Sequence, residues 1–309
     1  MRALRTAIVG FGKIATDQHV PAIAGNPRFE LAGSVSRHGE GPEPHFTSHE
    51  ELLRGLEDLA AVSITTPPGP RYAIARDCIA AGLHCMLEKP PTMTLGEIEE
   101  LRRLAEDKGV TLFTTWHAQH NPAVTAAAAL LEGKRIASME IIWHESVHKW
   151  HPGQQWIWEP GGFGVFDPGI NAFSILTRIF PAALFVREGE LSFPENAQTP
   201  IAGELVFDSP AAEGPLHCSL DFRREEGEEW TIAIRTTDGQ DIRLEAGGSR
   251  LLVDGREQAT QGPDEYPDLY RVFADLIDCR QSLVDVRPLR IVADALLVAR
   301  RIVVEPVTV

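Results

Sequence analysis

The sequence predicts an α/β domain on a doubly wound parallel sheet, followed by an α+β domain on one large, mostly antiparallel sheet. Three observations predict it. Over the first 120 residues short apolar runs alternate with helical stretches, the pattern of parallel strands joined by crossover helices. From Asn121-Pro122 onward an alanine-rich helix leads into strands that alternate apolar and polar residues, with "TDG" and "VDG" at their turns. The 309 residues are enough for two domains of ordinary size, and the change of pattern sets the expected division at 1–120 and 121–309.

The first strand is the apolar run Ala7-Ile8-Val9, followed by Gly10-x-Gly12-x-x-Ala15 and a helical stretch. A glycine pattern of this kind is a weak signal alone; between a first strand and a helix it reads as a Rossmann dinucleotide-binding turn. Gly10 permits the tight turn, Gly12 lets the backbone approach a pyrophosphate, and Ala15 keeps helix and strand close. Phe11, Lys13 and Ile14 complete the loop expected to line the cofactor. A second strand over 29–36 ends in Ser36-Arg37-His38, where an NAD-preferring chain would carry a carboxylate for the ribose hydroxyl. Ser36 can hydrogen-bond a 2′-phosphate and Arg37 can pair with it, so NADP is expected in preference to NAD, with NAD also compatible.

The alternation continues with a strand over 59–68, a helix over 70–82, a strand into a loop over 84–92, a helix over 94–109 and a strand over 110–118. Ligands of such sheets lie beyond the carboxyl ends of the strands. Thr66, Pro67, Glu88, Lys89 and His117 fall at those ends, and Arg71 falls in the helix after the third; all but His117 join the expected cofactor set. A lysine at a strand end beside a proline can hold substrate oxygens or tune a proton transfer. His117 is expected to bind a hydroxyl.

In the second part a helix at 122–133 is followed by the strand "SMEIIWHE", a tryptophan-rich loop, and a helix begun by "FDPGIN". There Asp167 is expected as the N-cap with Pro168 as first helical residue, and Asn171 one turn behind on the same face. Six alternating strands follow, then helices over 267–282 and 287–303. A sheet face left uncovered by helices would be apolar, and dimerisation is its expected cover. His144-Glu145-x-x-His148 matches a zinc-protease pattern, but that chemistry needs both histidines on one helix face, and here a strand runs into a Pro-Gly loop. No metal is expected. Trp150 and Trp156 are expected as pocket residues, each offering an apolar plate and an indole N–H.

The net charge of −15, from 29 basic and 44 acidic residues, argues against nucleic acid or an anionic membrane as partner. No apolar run approaches the ~20 residues of a membrane span. Four cysteines without paired spacing read as packing residues of a reducing compartment, and the N-terminus shows no leader pattern, so a cytoplasmic protein is expected.

Together, the early GxGxxA, "TTPPGPRY", "LEKPPT" and an acid-x-x-x-polar pair in the second part resemble the Gfo/Idh/MocA oxidoreductases over the whole chain. "GKIATDQHVPAI", "TWHAQHN" and "GGFGVFDPGINAFSIL" look most like the members that are aldose 1-dehydrogenases acting on L-arabinose and D-galactose. The resemblance implies oxidation of an anomeric hydroxyl to a lactone with NAD(P), a place for Glu145 in the sugar pocket, and an open C-terminal sheet used for homodimers or larger assemblies. Many members carry Asp-x-x-x-His where this chain has Asp167 and Asn171. An amide cannot titrate, so the base role moves to Asp167, tuned by Lys89, with Asn171 positioning. The rival readings are an inositol or keto-sugar dehydrogenase of the same family, and a non-catalytic NADP-binding sensor.

Overall fold

The computed structural model describes residues 3–37 and 41–308. Two compact units emerge, and the division differs from the expected one. The first comprises Met1–His117 with Asp264–Val286, the second Ala118–Pro263 with Arg287–Val309. The chain therefore leaves the first unit, builds most of the second, and returns for one helix before finishing in the second.

The first unit holds a six-stranded parallel sheet in the order β3-β2-β1-β4-β5-β6. Its strands are β1 (Leu4–Val9), β2 (Phe29–Val35), β3 (His45–Phe46), β4 (Ala61–Ile64), β5 (His84–Leu87) and β6 (Leu112–Thr114), and its early helices α1 (Val20–Ala24), α2 (His49–Gly55), α3 (Pro68–Ala80) and α4 (Leu95–Lys108). The order reverses between β1 and β4, the switch point where doubly wound sheets bind ligands. β1, β4 and β5 are almost wholly buried, which is why they read as continuous apolar runs. The returning helix α8 (Glu265–Cys279) packs Tyr266, Leu269, Tyr270 and Phe273 into a core with Ile8, Phe29, Met86 and Phe113. Its amphipathic stripe is satisfied on this sheet rather than in the second unit. Two elements were not expected: β3, and α2, capped by Ser48 Oγ accepting from Glu51 N at 3.2 Å.

The second unit is a nine-stranded sheet. In chain order it contains α5 (Pro122–Leu131), β7 (Ile136–His144), α6 (Val147–Trp150), α7 (Phe166–Ile179), β8 (Phe185–Pro194), β9 (Ala202–Asp208), β10 (Leu216–Asp221), β11 (Glu229–Thr236), β12 (Asp241–Glu245), β13 (Arg250–Val253), β14 (Arg256–Gln258), α9 (Arg287–Val298) and β15 (Arg300–Val304). The strand order is β14-β13-β12-β11-β7-β10-β9-β8-β15, antiparallel except for the β7–β10 and β8–β15 pairs. The last helix is shorter than expected: it stops at Val298, and the β-branched run Ile302-Val303-Val304 pairs with the edge of β8.

In-register residues Leu205, Cys218, Ile141, Ile232, Leu244 and Leu251 are all buried, with α5, α7 and α9 packed on the strands. The alternate residues Glu140, His217, Glu204, Arg235 and Arg243 are exposed. The uncovered face therefore mixes these polar residues with the half-buried Ile142, Val206 and Leu252, rather than being apolar throughout as expected. Among the four cysteines, Cys78, Cys85 and Cys218 are buried while Cys279, expected as packing, is exposed. Among the described residues no helix is long and apolar enough to cross a membrane.

Candidate functional site

In the first unit the expected cofactor loop is built as its spacing requires. Gly10 has φ +103°, and a Cβ there would stand 2.6 Å from Thr66 N, so the loop after β1 lies directly against the loop after β4. Thr65 Oγ1 donates to Gly10 O at 2.6 Å and laces the two together. Gly12 is different: a Cβ there would meet nothing nearer than Gly10 O at 3.9 Å, leaving open space for an anion to reach the backbone. Beside Gly10 the Thr66 hydroxyl is buried with no hydrogen-bond partner among the described residues. An open backbone cradle and an orphaned buried hydroxyl at the switch point fit a dinucleotide.

The other loop residues sort by exposure. Phe11 packs partly buried against the core, while Lys13 and Ile14 are exposed, Lys13 pairing with Asp17. Ser36 is buried at the end of β2 and Arg37 is exposed; His38 lies outside the described residues. Pro67 is exposed in the loop before α3.

Arg71 was expected to contact the cofactor. It is 2% exposed and donates to the carbonyls of Thr66, Glu88 and Pro90, bracing two strand ends from within. Glu88 is likewise turned inward. Its Oε1 lies 3.2 Å from His19 Nε2 and accepts from Tyr266 Oη at 2.8 Å, and its Oε2 accepts from Lys89 N at 2.9 Å. Burial opposes its ionisation, but His19, the more distant His117 and Tyr266 outweigh burial and hold the carboxyl down to about 2. Lys89, half-buried, thus takes its backbone setting from a buried carboxylate.

His117 Nδ1 lies 2.8 Å from Glu265 Oε2, with its ring stacked on Tyr266 at 5.6 Å. Burial disfavours the imidazolium, but the carboxylates of Glu265 and Glu88 prevail and raise its pKa, against the pull of Lys89. The sequence gives no hint of this partner, 148 residues away.

In the second unit Asp167 is not the N-cap. Gly164, at φ +52° under Pro200 O, turns the chain so that α7 opens at Phe166 with Val165 as cap. Asp167 sits in the first turn, its N–H bonded to Gly164 O at 2.9 Å, still where the positive end of the helix favours a carboxylate. Asn171 is half-buried one turn behind.

The main addition is His151. Its Nε2 lies 3.3 Å from Asp167 Oδ2, the ring held edge-on by Trp156 and Phe222. Trp156 donates to Gln154 Oε1 at 3.0 Å, and that oxygen also lies 3.3 Å from His151 Nδ1. This histidine was not singled out by sequence, since fifteen residues with only a short 3-10 turn lie between it and Asp167; its one signal was its place among tryptophans in "KWHPGQQW".

Glu145 is buried and accepts from Trp230 Nε1 at 2.8 Å, another residue not singled out by sequence. Trp230 stands 5.9 Å from Trp150, which is 44% exposed and donates to Glu228 at 2.6 Å. An acid and two indoles thus gather around α6. The zinc-like pattern falls apart by geometry: His144 ends β7 and meets Ser219 at 2.8 Å, Glu145 points to Trp230, and His148 is exposed on α6.

Comparison with known proteins agrees with this layout. Residues 4–116 match the model of an oxidoreductase family with an NAD-binding Rossmann fold. Over 308 residues the chain is 42% identical to galactose 1-dehydrogenase of Pseudomonas fluorescens, covering 99% of both chains. It is 27% identical to an NADP-dependent scyllo-inositol 2-dehydrogenase of Bacillus subtilis, over 83% of this chain and 71% of that one. The crystal structure of D-galactose-1-dehydrogenase from Rhizobium etli superposes with a TM-score of 0.93 at 44% identity, over 100% of this chain and 99% of that one. A 3-ketoreductase from Actinomadura kijaniata in complex with NADP shares the fold, with a TM-score of 0.82 at 17% identity over 98% and 99% of the two chains.

Proposed function

The chain belongs to the Gfo/Idh/MocA oxidoreductases, and from that premise we propose that it is an aldose 1-dehydrogenase, oxidising the anomeric C1 hydroxyl of a pyranose to the aldonolactone. L-Arabinose and D-galactose, which share their configuration at the ring carbons near C1, are the proposed substrates. NADP is the proposed acceptor, on the strength of Ser36 and Arg37 just past β2, where Ser36-Arg37-His38 carries no carboxylate to repel a 2′-phosphate.

The observation that carries the reading is the Asp167–His151 pair at 3.3 Å. Oxidation of a hydroxyl needs an acceptor for its proton, and Asn171 cannot be one. A bound nicotinamide dinucleotide supplies the hydride acceptor. Asp167 takes the proton of the C1 hydroxyl as the C1–H bond breaks and the C1=O bond forms, and the proton passes to His151 Nε2. His151 is the more exposed partner, 16% against 7%, so it is the exit toward water. Asn171 and Lys89 hold hydroxyls in place, as His117 does; Glu145, with Trp150 and Trp156, receives the rest of the ring. Because departure of hydride acidifies the remaining hydroxyl, a carboxylate at a helix start is base enough.

The test is NADPH formation by the purified protein across aldoses and inositols. Oxidation of L-arabinose or D-galactose ahead of the inositols supports the reading; preference for inositols, or tight NADP(H) binding without turnover, defeats it. Asp167→Asn should lower kcat by roughly 10²-fold or more, the range of general-base contributions, and His151→Asn by less. Near-normal turnover in Asp167→Asn would leave that residue a helix-end charge only. Arg37→Ala should weaken use of NADP selectively; an equal effect on NAD removes the 2′-phosphate assignment.

A further inference from the structure

His19 is 1% exposed, in a segment wound as a π-helix over Ala15–His19, immediately after the glycine loop. Single π-wound turns cost hydrogen-bond geometry and recur at functional sites. Both ring nitrogens are engaged: Nδ1 lies 2.8 Å from Tyr270 Oη and Nε2 lies 3.2 Å from Glu88 Oε1. Tyr270 Oη in turn lies 2.9 Å from Ser63 Oγ on β4. One assignment satisfies every donor: Ser63 donates to Tyr270, Tyr270 to His19 Nδ1, and His19 Nε2–H to Glu88. The second oxygen of Glu88 receives the backbone N–H of Lys89.

We propose that His19 is a positioning residue for Lys89, tying the helix that follows the cofactor loop to the strand end that carries the lysine. Burying an imidazole against a carboxylate is costly, and an apolar pair of the same volume would hold the core as well. What an apolar pair would not do is fix direction. The His19–Glu88 bond joins the π-wound segment to the end of β5, so a displacement of the glycine loop is carried to the Lys89 backbone. Tyr266 supplies the second donor to Glu88 from α8, so this anchor also needs the returning helix. The inference rests on the proposed sugar oxidation only for its turnover readout; cofactor affinity tests it separately.

The experiment compares the full-length protein with His19→Leu, which removes both bonds, and His19→Gln, which keeps an N–H for Glu88. NADPH affinity is read by fluorescence, kcat and KM are measured per folded protein, and folding is followed by circular dichroism. His19→Leu is expected to lose kcat by about 10- to 100-fold, the scale of a small misplacement, with a lesser change in sugar KM and weaker NADPH binding. His19→Gln should recover most of both.

The pH profile gives a second signature. Glu88 faces His19, Tyr266, His117 and Tyr270; without His19 its burial drives the carboxyl upward. The kcat of His19→Leu should then fall on the acid side, where the wild type is not limited by Glu88. Should His19→Leu not fold, Tyr266→Phe removes the other side-chain donor and must show a weaker form of the same acid limb.

A folded His19→Leu with wild-type kcat, NADPH affinity and pH profile overturns the proposal, as does a flat profile in Tyr266→Phe. Losses that only track the folded fraction, equal for Leu and Gln, also overturn it by leaving His19 a core residue. If the wild type turns over no aldose, the functional reading fails by itself, and unchanged NADPH affinity in His19→Leu still refutes this one.

Discussion

His117 and Glu88 carry opposite pH signatures. The Glu265 carboxylate raises the pKa of His117 above 6.5, so the pair adds stability that is full below 6.5 and lost as pH rises through the raised folded value. His117→Gln should therefore lower Tm most below pH 6.5 and progressively less as the pH rises through the raised folded value, read by thermal melts across pH. Glu88, held at about 2 from 4.5, adds stability that is full above 4.5 and fades as pH falls toward 2, so mild acid leaves its network intact. The places of Asp167 and Asn171 one turn apart at the start of a helix, and of Lys89 just past a strand, were legible, because turn spacing and a strand end are local facts. His151, Trp230 and Glu265 were not legible, since each meets its partner only through the folded chain.

Elements were legible where their signals were periodic or punctuated. The glycine loop is the best case, and its two glycines should fail differently. Gly10→Ala meets Thr66 N at 2.6 Å and a positive φ, so it should lower Tm as well as cofactor binding. Gly12→Ala has room, so its Tm should stay near wild type while NADP(H) affinity falls. Helix α2 was missed although Ser48-x-x-Glu51 is a readable capping signal; Ser48→Ala should cost about 1 kcal/mol in chemical denaturation. The end of α9 was overrun because 287–303 carries one amphipathic pattern throughout. Only the open edge of β8 decides that 300–304 becomes a strand.

At the scale of the molecule, the return of α8 sets what can fold alone. A fragment of residues 1–120 lacks Tyr266, Leu269, Tyr270 and Phe273, and leaves Phe29 and Phe113 without part of their cover. It should bind a hydrophobic dye and melt broadly, whereas 1–117 joined by a flexible linker to 264–286 should melt cooperatively. A fragment of 1–120 that melts as sharply as the joined chain would remove α8 from the essential core. Sequence by itself determined the two sheets, the cofactor turn and the acid at the start of α7, because each depends on periodicity or spacing within about twenty residues. The tertiary structure decided which sheet receives α8, that the uncovered sheet face mixes polar and apolar residues, and that Asp167 has a histidine beside it. Those are contacts between distant segments, and they follow from which apolar faces and hydrogen-bonding groups the folded chain brings together.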